Sequence, residues 1–79
     1  MKVLFFAQSR QATGCDEYVL KTDKTLTQPE FWALLIAIFP SLAAQQKTAR
    51  LARQEADLEN GDRLHPTDEI AVIPPVSGG

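Results

Sequence analysis

Several things are scarce in this 79-residue chain, and each scarcity excludes something. There is one cysteine, Cys15, so no internal disulfide is possible and a reducing compartment is the natural setting. There is one histidine, His65, far from Cys15 in sequence, so no metal-ligand cluster can be assembled from spacing. The four glycines stand at 14, 61, 78 and 79, and none of them builds a glycine-rich phosphate loop. Basic residues never cluster, and the net charge is −2, which argues against nucleic acid as the main partner. The longest uncharged apolar stretch, Phe31 to Phe39, is too short to span a bilayer. The opening apolar run, Val3 to Phe6, is too short for a signal-peptide core. A cytoplasmic protein with no membrane association is the simplest inference. No repeats, low-complexity tracts or linkers occur.

What remains is ordinary for one small folded domain, with 44% hydrophobic and 23% charged residues. Val3 to Ala7 and Ile70 to Ile73 are continuous apolar runs, which read as central strands covered on both faces. They lie at opposite ends of the chain and are expected to pair in the middle of one sheet. Gln8 to Asp16 is polar and reads as one helical turn closed by Gly14 in the left-handed region. Glu17 to Lys21 is the next strand, a hairpin partner of the first, with Tyr18 and Leu20 on one face and Val19 on the other.

Thr27-Gln28-Pro29-Glu30 carries the residues of a capping box, with proline where no donor is needed. The helix it starts is expected over 28–39, ending at Pro40. Phe31, Leu34, Leu35 and Ile38 form one stripe, the expected sheet-facing side, which Trp32, Ile36 and Phe39 widen. No charge occurs between Glu30 and Lys47, so a second cover is expected on this helix. That cover is either the chain's own 41–47 segment, read as a short helical piece, or a partner or self-association surface. Ala49 to Gln54 reads as a third strand, Asn60-Gly61 as a turn, and His65 to Glu69 as a polar connector. Hairpin, helix, short strands and a final strand define an α+β domain, with one main helix across a mixed sheet whose terminal strands run parallel. That is the β-grasp, or ubiquitin-like, arrangement, over residues 1–75.

No catalytic constellation emerges. Asp68 and Glu69 are adjacent and point to opposite faces of a strand, so they cannot act as a paired acid and base. A Ser77–His65 pair has nothing to fix its geometry. Arg50 and Arg53 read as solvated side chains, or alternatively as a dock for an acidic partner. The remaining candidate for chemistry is 76–79. Pro74 and Pro75 remove two backbone donors and stop the last strand. Val76, Ser77, Gly78 and Gly79 then reach roughly 13 Å at about 3.3 Å per residue, and the last two have no side chain to obstruct a narrow channel. The plain reading is a frayed end. The chemical reading makes the Gly79 carboxylate the working group, a substrate for other proteins. It is ionised at neutral pH and a poor electrophile until converted to a mixed anhydride.

Asp68 to Gly79, with Pro74-Pro75-Val76-Ser77-Gly78-Gly79 at its end, closely resembles the C-terminus of the small-subunit family of molybdopterin synthase. Val3-Leu4-Phe5-Phe6-Ala7-Gln8-Ser9 followed by Gly14 is similar to that family's opening strand and loop. The resemblance implies a sulfur carrier with no bound cofactor and no catalytic residues of its own. An adenylyltransferase related to ubiquitin activators would attach AMP transiently at Gly79, and a sulfurtransferase step would leave a thiocarboxylate there. The tail would enter the large catalytic subunit, in a heterotetramer, and give its sulfur to cyclic pyranopterin monophosphate. Gly78 would give clearance, while Pro75 and Val76 would pack at the channel mouth. Two other uses remain open: sulfur carriage for thiamine or tRNA thiolation, and conjugation to lysines through Gly79 as a protein modifier.

Overall fold

The computed structural model describes residues 1–54 and 56–75. Five strands form one sheet: β1 (Lys2–Phe5), β2 (Glu17–Val19), β3 (Arg50–Arg53), β4 (Ala56–Asp57) and β5 (Glu69–Ile73), in the order β2-β1-β5-β3-β4. The terminal strands do pair in parallel at the centre, with Val3 opposite Ile70 and Phe5 opposite Val72. β2 runs antiparallel to β1, and β3 antiparallel to β5. The expected mixed β-grasp sheet is present, with β4 as a two-residue edge that the sequence does not announce.

β1 stops at Phe5, two residues short of the expected end, because Ala7 takes a positive φ of 50° and turns the chain into helix α1 (Ala7–Thr13). α1 is nearly two turns rather than one. Gly14 caps it at φ 77°, its N–H donating to the Arg10 carbonyl at 2.8 Å, as the left-handed reading requires. On β2, Tyr18 is half-buried while Val19 faces solvent, and Leu20 beyond the strand is buried.

Helix α2 (Gln28–Ile38) starts at the expected capping box. The Glu30 N–H donates to Thr27 Oγ1 at 3.3 Å, and the Thr27 N–H donates to Glu30 Oε1 at 2.9 Å. The Thr27 N–H bond, with the Thr27 hydroxyl beside it, holds the Glu30 carboxyl below its ordinary pKa. The buried stripe differs from the expected one. Phe31, Trp32 and Leu35 are buried and Ile36 and Phe39 partly so, whereas Leu34 and Ile38 are 42% and 41% exposed. A helix apolar all round has no polar side to set its rotation, so the largest rings set it. Phe31 and Trp32 stack edge-to-face at 6.0 Å, and Phe39 meets Phe5 and Tyr18 at 5.6 and 5.2 Å.

A 3-10 helix (Pro40–Gln45) follows and buries Leu42. It packs beside α2 and is tied to α1, where Ser9 donates from its hydroxyl to the Gln45 side-chain carbonyl. It does not cover the outer side of α2, so the expected cover by the chain's own 41–47 segment is absent: Ala33, Leu34, Ala37 and Ile38 stay exposed. The Asn60-Gly61 turn is present, with Gly61 at φ 89° and the Asp62 N–H donating to the Glu59 carbonyl at 3.0 Å.

The core joins Val3, Phe5, Leu51, Ile70 and Val72 from the sheet to Phe31, Trp32, Leu35 and Leu42 from the helical layer. It lies on one side of the sheet only. The expectation that β1 and β5 are covered on both faces is therefore corrected. Along β5 the buried residues are Ile70 and Val72, while Glu69 and Ile73 are exposed and Ala71 is half-exposed. The second face of these apolar strands has no second layer over it among the described residues: Leu4 and Ala71 are half-buried, and Ala52 beside them on β3 is buried within the sheet surface.

Candidate functional site: the open sheet face and the root of the C-terminal segment

That uncovered face has a definite chemistry. Side chains alternate across a strand, so Leu4 on β1, Ala71 on β5 and Ala52 on β3 fall in one row, Leu4 opposite Ala71 and Ala71 opposite Ala52. Small residues at the middle of the row leave a shallow depression of about 340 Å³, flanked by Phe6 and Ile73 and edged by Gln54, Asp57 and Glu69. Two ion-pair groups stand at its border. Lys2 Nζ lies 3.0 Å from Glu17 and 3.9 Å from Glu69. The hydrogen bond to Glu17, then the charges of Glu17 and Glu69, raise the Lys2 pKa. Across the face, Arg50 Nη1 meets Asp57 at 3.3 Å. An apolar centre with a polar border is the anatomy of a protein–protein contact.

The same face runs into the end of β5. Ile73, 36% exposed, is the last paired residue, with Arg50 as its partner on β3. Pro74 is buried and Pro75 exposed. Neither proline can donate to a ladder, so pairing ends where the chain leaves the sheet. Thr48, Arg50, Ile73, Pro74 and Pro75 line a second depression of about 370 Å³ at this exit. Of the expected site residues, Pro75 thus stands at the border of the open face. Val76, Ser77, Gly78 and Gly79 lie outside the described residues.

The start of β5 is clamped. Asp68 Oδ2 accepts from Arg53 Nη1 and from the His65 backbone N–H, each at 2.8 Å, and Arg53 also donates to the Arg63 carbonyl at 2.9 Å. Burial pushes the Asp68 carboxyl up, but the His65 N–H and the Arg53 guanidinium outweigh it and hold the pKa below the ordinary value. Arg53 is therefore a structural clamp rather than a solvated or docking side chain. Arg50 is engaged only by its single contact with Asp57 among the described residues. Asp68 and Glu69 do diverge, the first to Arg53 and the second to Lys2. His65 is exposed, with Nδ1 3.4 Å from Thr25 Oγ1.

The row of Leu4, Ala52 and Ala71 is what sequence reasoning missed. Its signal was the alternation of Glu69-Ile70-Ala71-Val72, in which a charge and an alanine take every second place. A doubly covered strand would carry large apolar residues at both sets of positions.

The fold and this face define a ubiquitin-like β-grasp protein whose last strand ends in Pro74 and Pro75 at the edge of an open apolar face. The chain belongs to the ThiS family, whose model matches residues 3–79. It is 35% identical over 81 residues to the molybdopterin synthase sulfur carrier subunit of Chlamydomonas reinhardtii, covering 100% of this chain and 98% of that one. It is 34% identical over 82 residues to that of Homo sapiens, covering 100% and 93%. The resemblance to the molybdopterin synthase small subunits thus extends over the whole length. Among solved structures, SAMP1 from Haloferax volcanii superposes with a TM-score of 0.83 at 23% identity, over 100% of this chain and 98% of that one. A protein–protein complex of subunits 1 and 2 of molybdopterin-converting factor from Helicobacter pylori contains a chain with a TM-score of 0.66 at 22% identity, over 99% and 96%. These two likenesses establish the β-grasp fold. No helix among the described residues is long and apolar enough to cross a membrane.

Proposed function

We propose that this chain is the sulfur carrier subunit of a molybdopterin synthase, working in the cytoplasm. The observation that carries the reading is the apolar sheet face left open beside the exit of Pro74 and Pro75, on a chain similar over its full length to sulfur carrier subunits. In this reading the large catalytic subunit supplies the missing cover for Leu4, Ala71 and Ile73. Docking there aims 76–79 into that subunit, and Pro75 with Val76 fills the channel mouth. Ser77 and Gly78 then carry Gly79 to the reaction centre, where glycine leaves the backbone the closest approach.

The chemistry resides at the Gly79 carboxylate. One carboxylate oxygen attacks the α-phosphate of ATP on an adenylyltransferase related to ubiquitin activators, and pyrophosphate leaves. A persulfide of the sulfurtransferase then displaces AMP from the acyl carbon, and a second thiol cleaves the S–S bond of the acyl disulfide, leaving the thiocarboxylate on Gly79 and a disulfide on the thiol side. In the synthase that sulfur passes to cyclic pyranopterin monophosphate, and water restores the carboxylate. The carrier contributes position and the acyl group, while the large subunit contributes the catalytic side chains.

The test is the intact mass of the protein isolated from cells of its source. A thiocarboxylate form about 16 Da heavier is expected, lost when Gly79 is deleted along with molybdoenzyme activity in that strain. No heavier species, together with full molybdoenzyme activity in the deletion strain, would refute the reading. Covalent conjugates to lysines with unchanged molybdoenzyme activity would establish a protein modifier instead. Loss of thiamine or of thiolated tRNA alone would assign the sulfur to another product.

A further inference from the structure

The described residues carry two apolar surfaces, on opposite sides of the core. The open sheet face is one. The other is the outer side of α2 with the 3-10 helix after it, where Ala33, Leu34, Ala37, Ile38, Ala43 and Ala44 are all exposed. Leu34 and Ile38 are the large residues among them, at 42% and 41% exposure. No charged residue occurs from Phe31 to Gln46. The proposed sulfur chemistry makes no use of this side.

We infer that this surface is a homotypic contact, on which α2 of a second copy of the chain packs. Shape is the first argument for a second copy. A two-fold contact needs a patch complementary to itself. Leu34 and Ile38, four residues apart, form a ridge, and the neighbouring row of Ala33 and Ala37 forms a groove beside it. Rotated by a two-fold axis, the ridge of each copy enters the groove of the other, the packing in which helices cross near −50°.

Charge is the second argument. A two-fold axis tends to set like charges opposite each other, and juxtaposed like charges oppose association. In a chain of net charge −2, the charge-free side is where a second copy approaches without that cost.

Area sets the strength. The exposed apolar surface of α2 and the 3-10 helix is on the order of 500 Å² per copy, at the upper end of what a single chain leaves open. Two copies then bury about 1,000 Å² in total, the lower limit for a specific interface. A contact at that lower limit is reversible. α2 and the open sheet face lie on opposite sides of the sheet, so pairing leaves Leu4, Ile73 and Pro75 free for another protein.

Sedimentation velocity of the full chain, from about 10 μM to about 1 mM, the range of weak reversible association, tests the contact. The weight-average mass is expected to rise from one chain towards two. Leu34→Glu and, separately, Ala37→Lys should weaken association at least tenfold while circular dichroism stays unchanged. Ile73→Glu, on the sheet face, should leave association unaltered. If Leu34→Glu fails to fold, Ala37→Lys carries the comparison. A wild-type chain that stays monomeric throughout overturns the inference. So does a pair that survives Ala37→Lys and is lost with Ile73→Glu, which puts the contact on the sheet face. A monomer whose Leu34 and Ile38 methyl signals shift only when the large subunit is added also overturns it, because the occupant is then the partner.

Discussion

Arg50 stands directly across the ladder from Ile73, the last residue of β5 to be paired before Pro74. The end of the strand therefore carries an apolar side chain and a cation side by side at the point where the chain leaves the sheet. Ile73 belongs to the open apolar face, and Arg50 to its polar border through Asp57.

Ile73→Glu puts a charge where the proposed large subunit lies flat against the sheet. Binding of the cognate large subunit, followed by isothermal titration calorimetry, should weaken about 100-fold, as for a charge forced into an apolar contact. The melting temperature of the isolated chain should hardly move, because Ile73 is outside the core. A large loss of thermal stability would mean that Ile73 supports the fold itself.

Deleting Gly79 should abolish adenylation without touching stability. In a pyrophosphate-release assay with the adenylyltransferase and ATP, the wild type turns over and the deletion variant gives background. Urea midpoints of the two proteins should coincide, since the described core contains no residue beyond Val72.

Asp68→Asn should cost about 1.5–3 kcal/mol at neutral pH, the range for hydrogen bonds to a charged group. The sign with pH follows from the direction of the shift. The folded pKa lies below the unfolded one, so this stabilisation is full above the unfolded value of about 4 and is lost as pH falls through the folded value. Urea unfolding across the acid range should show wild type and variant converging below about pH 4. Parallel curves down to the lowest pH would exclude Asp68 as a source of the acid sensitivity.

Leu35→Ala and Leu34→Ala separate the buried and exposed sides of α2. Leu35 is fully buried, so its truncation should cost about 2–5 kcal/mol, whereas Leu34→Ala should fall within about 1 kcal/mol. Thr27→Ala removes half of the capping box and should cost about 1 kcal/mol. Chemical denaturation of the three variants is the check.

These contrasts also mark how far the sequence could be read. The capping box, the Gly14 cap, the Asn60-Gly61 turn and the parallel pairing of the terminal strands were legible because each rests on local backbone chemistry or on a strong contrast in hydrophobicity. The rotation of α2 was not, because apolar residues surround it and periodicity gives no preferred side. Phe39 decides it through its contacts with Phe5 and Tyr18, distant in the chain. The two-residue β4 was too short to show a pattern. Half of the candidate site was misread for a related reason: Leu4 and Ala71 looked like core because they are apolar, and sequence alone does not say which chain covers them. Arg53 was read from its charge, whereas its partner Asp68 is fifteen residues away.

The strand that leads to the C-terminal segment is the middle one of five, hydrogen-bonded along both edges to β1 and β3. A tug along that segment loads both ladders lengthwise, so their bonds must rupture together instead of unzipping one at a time from a free margin. Force applied at the end of this chain is therefore shared by two ladders at once, one to β1 and one to β3.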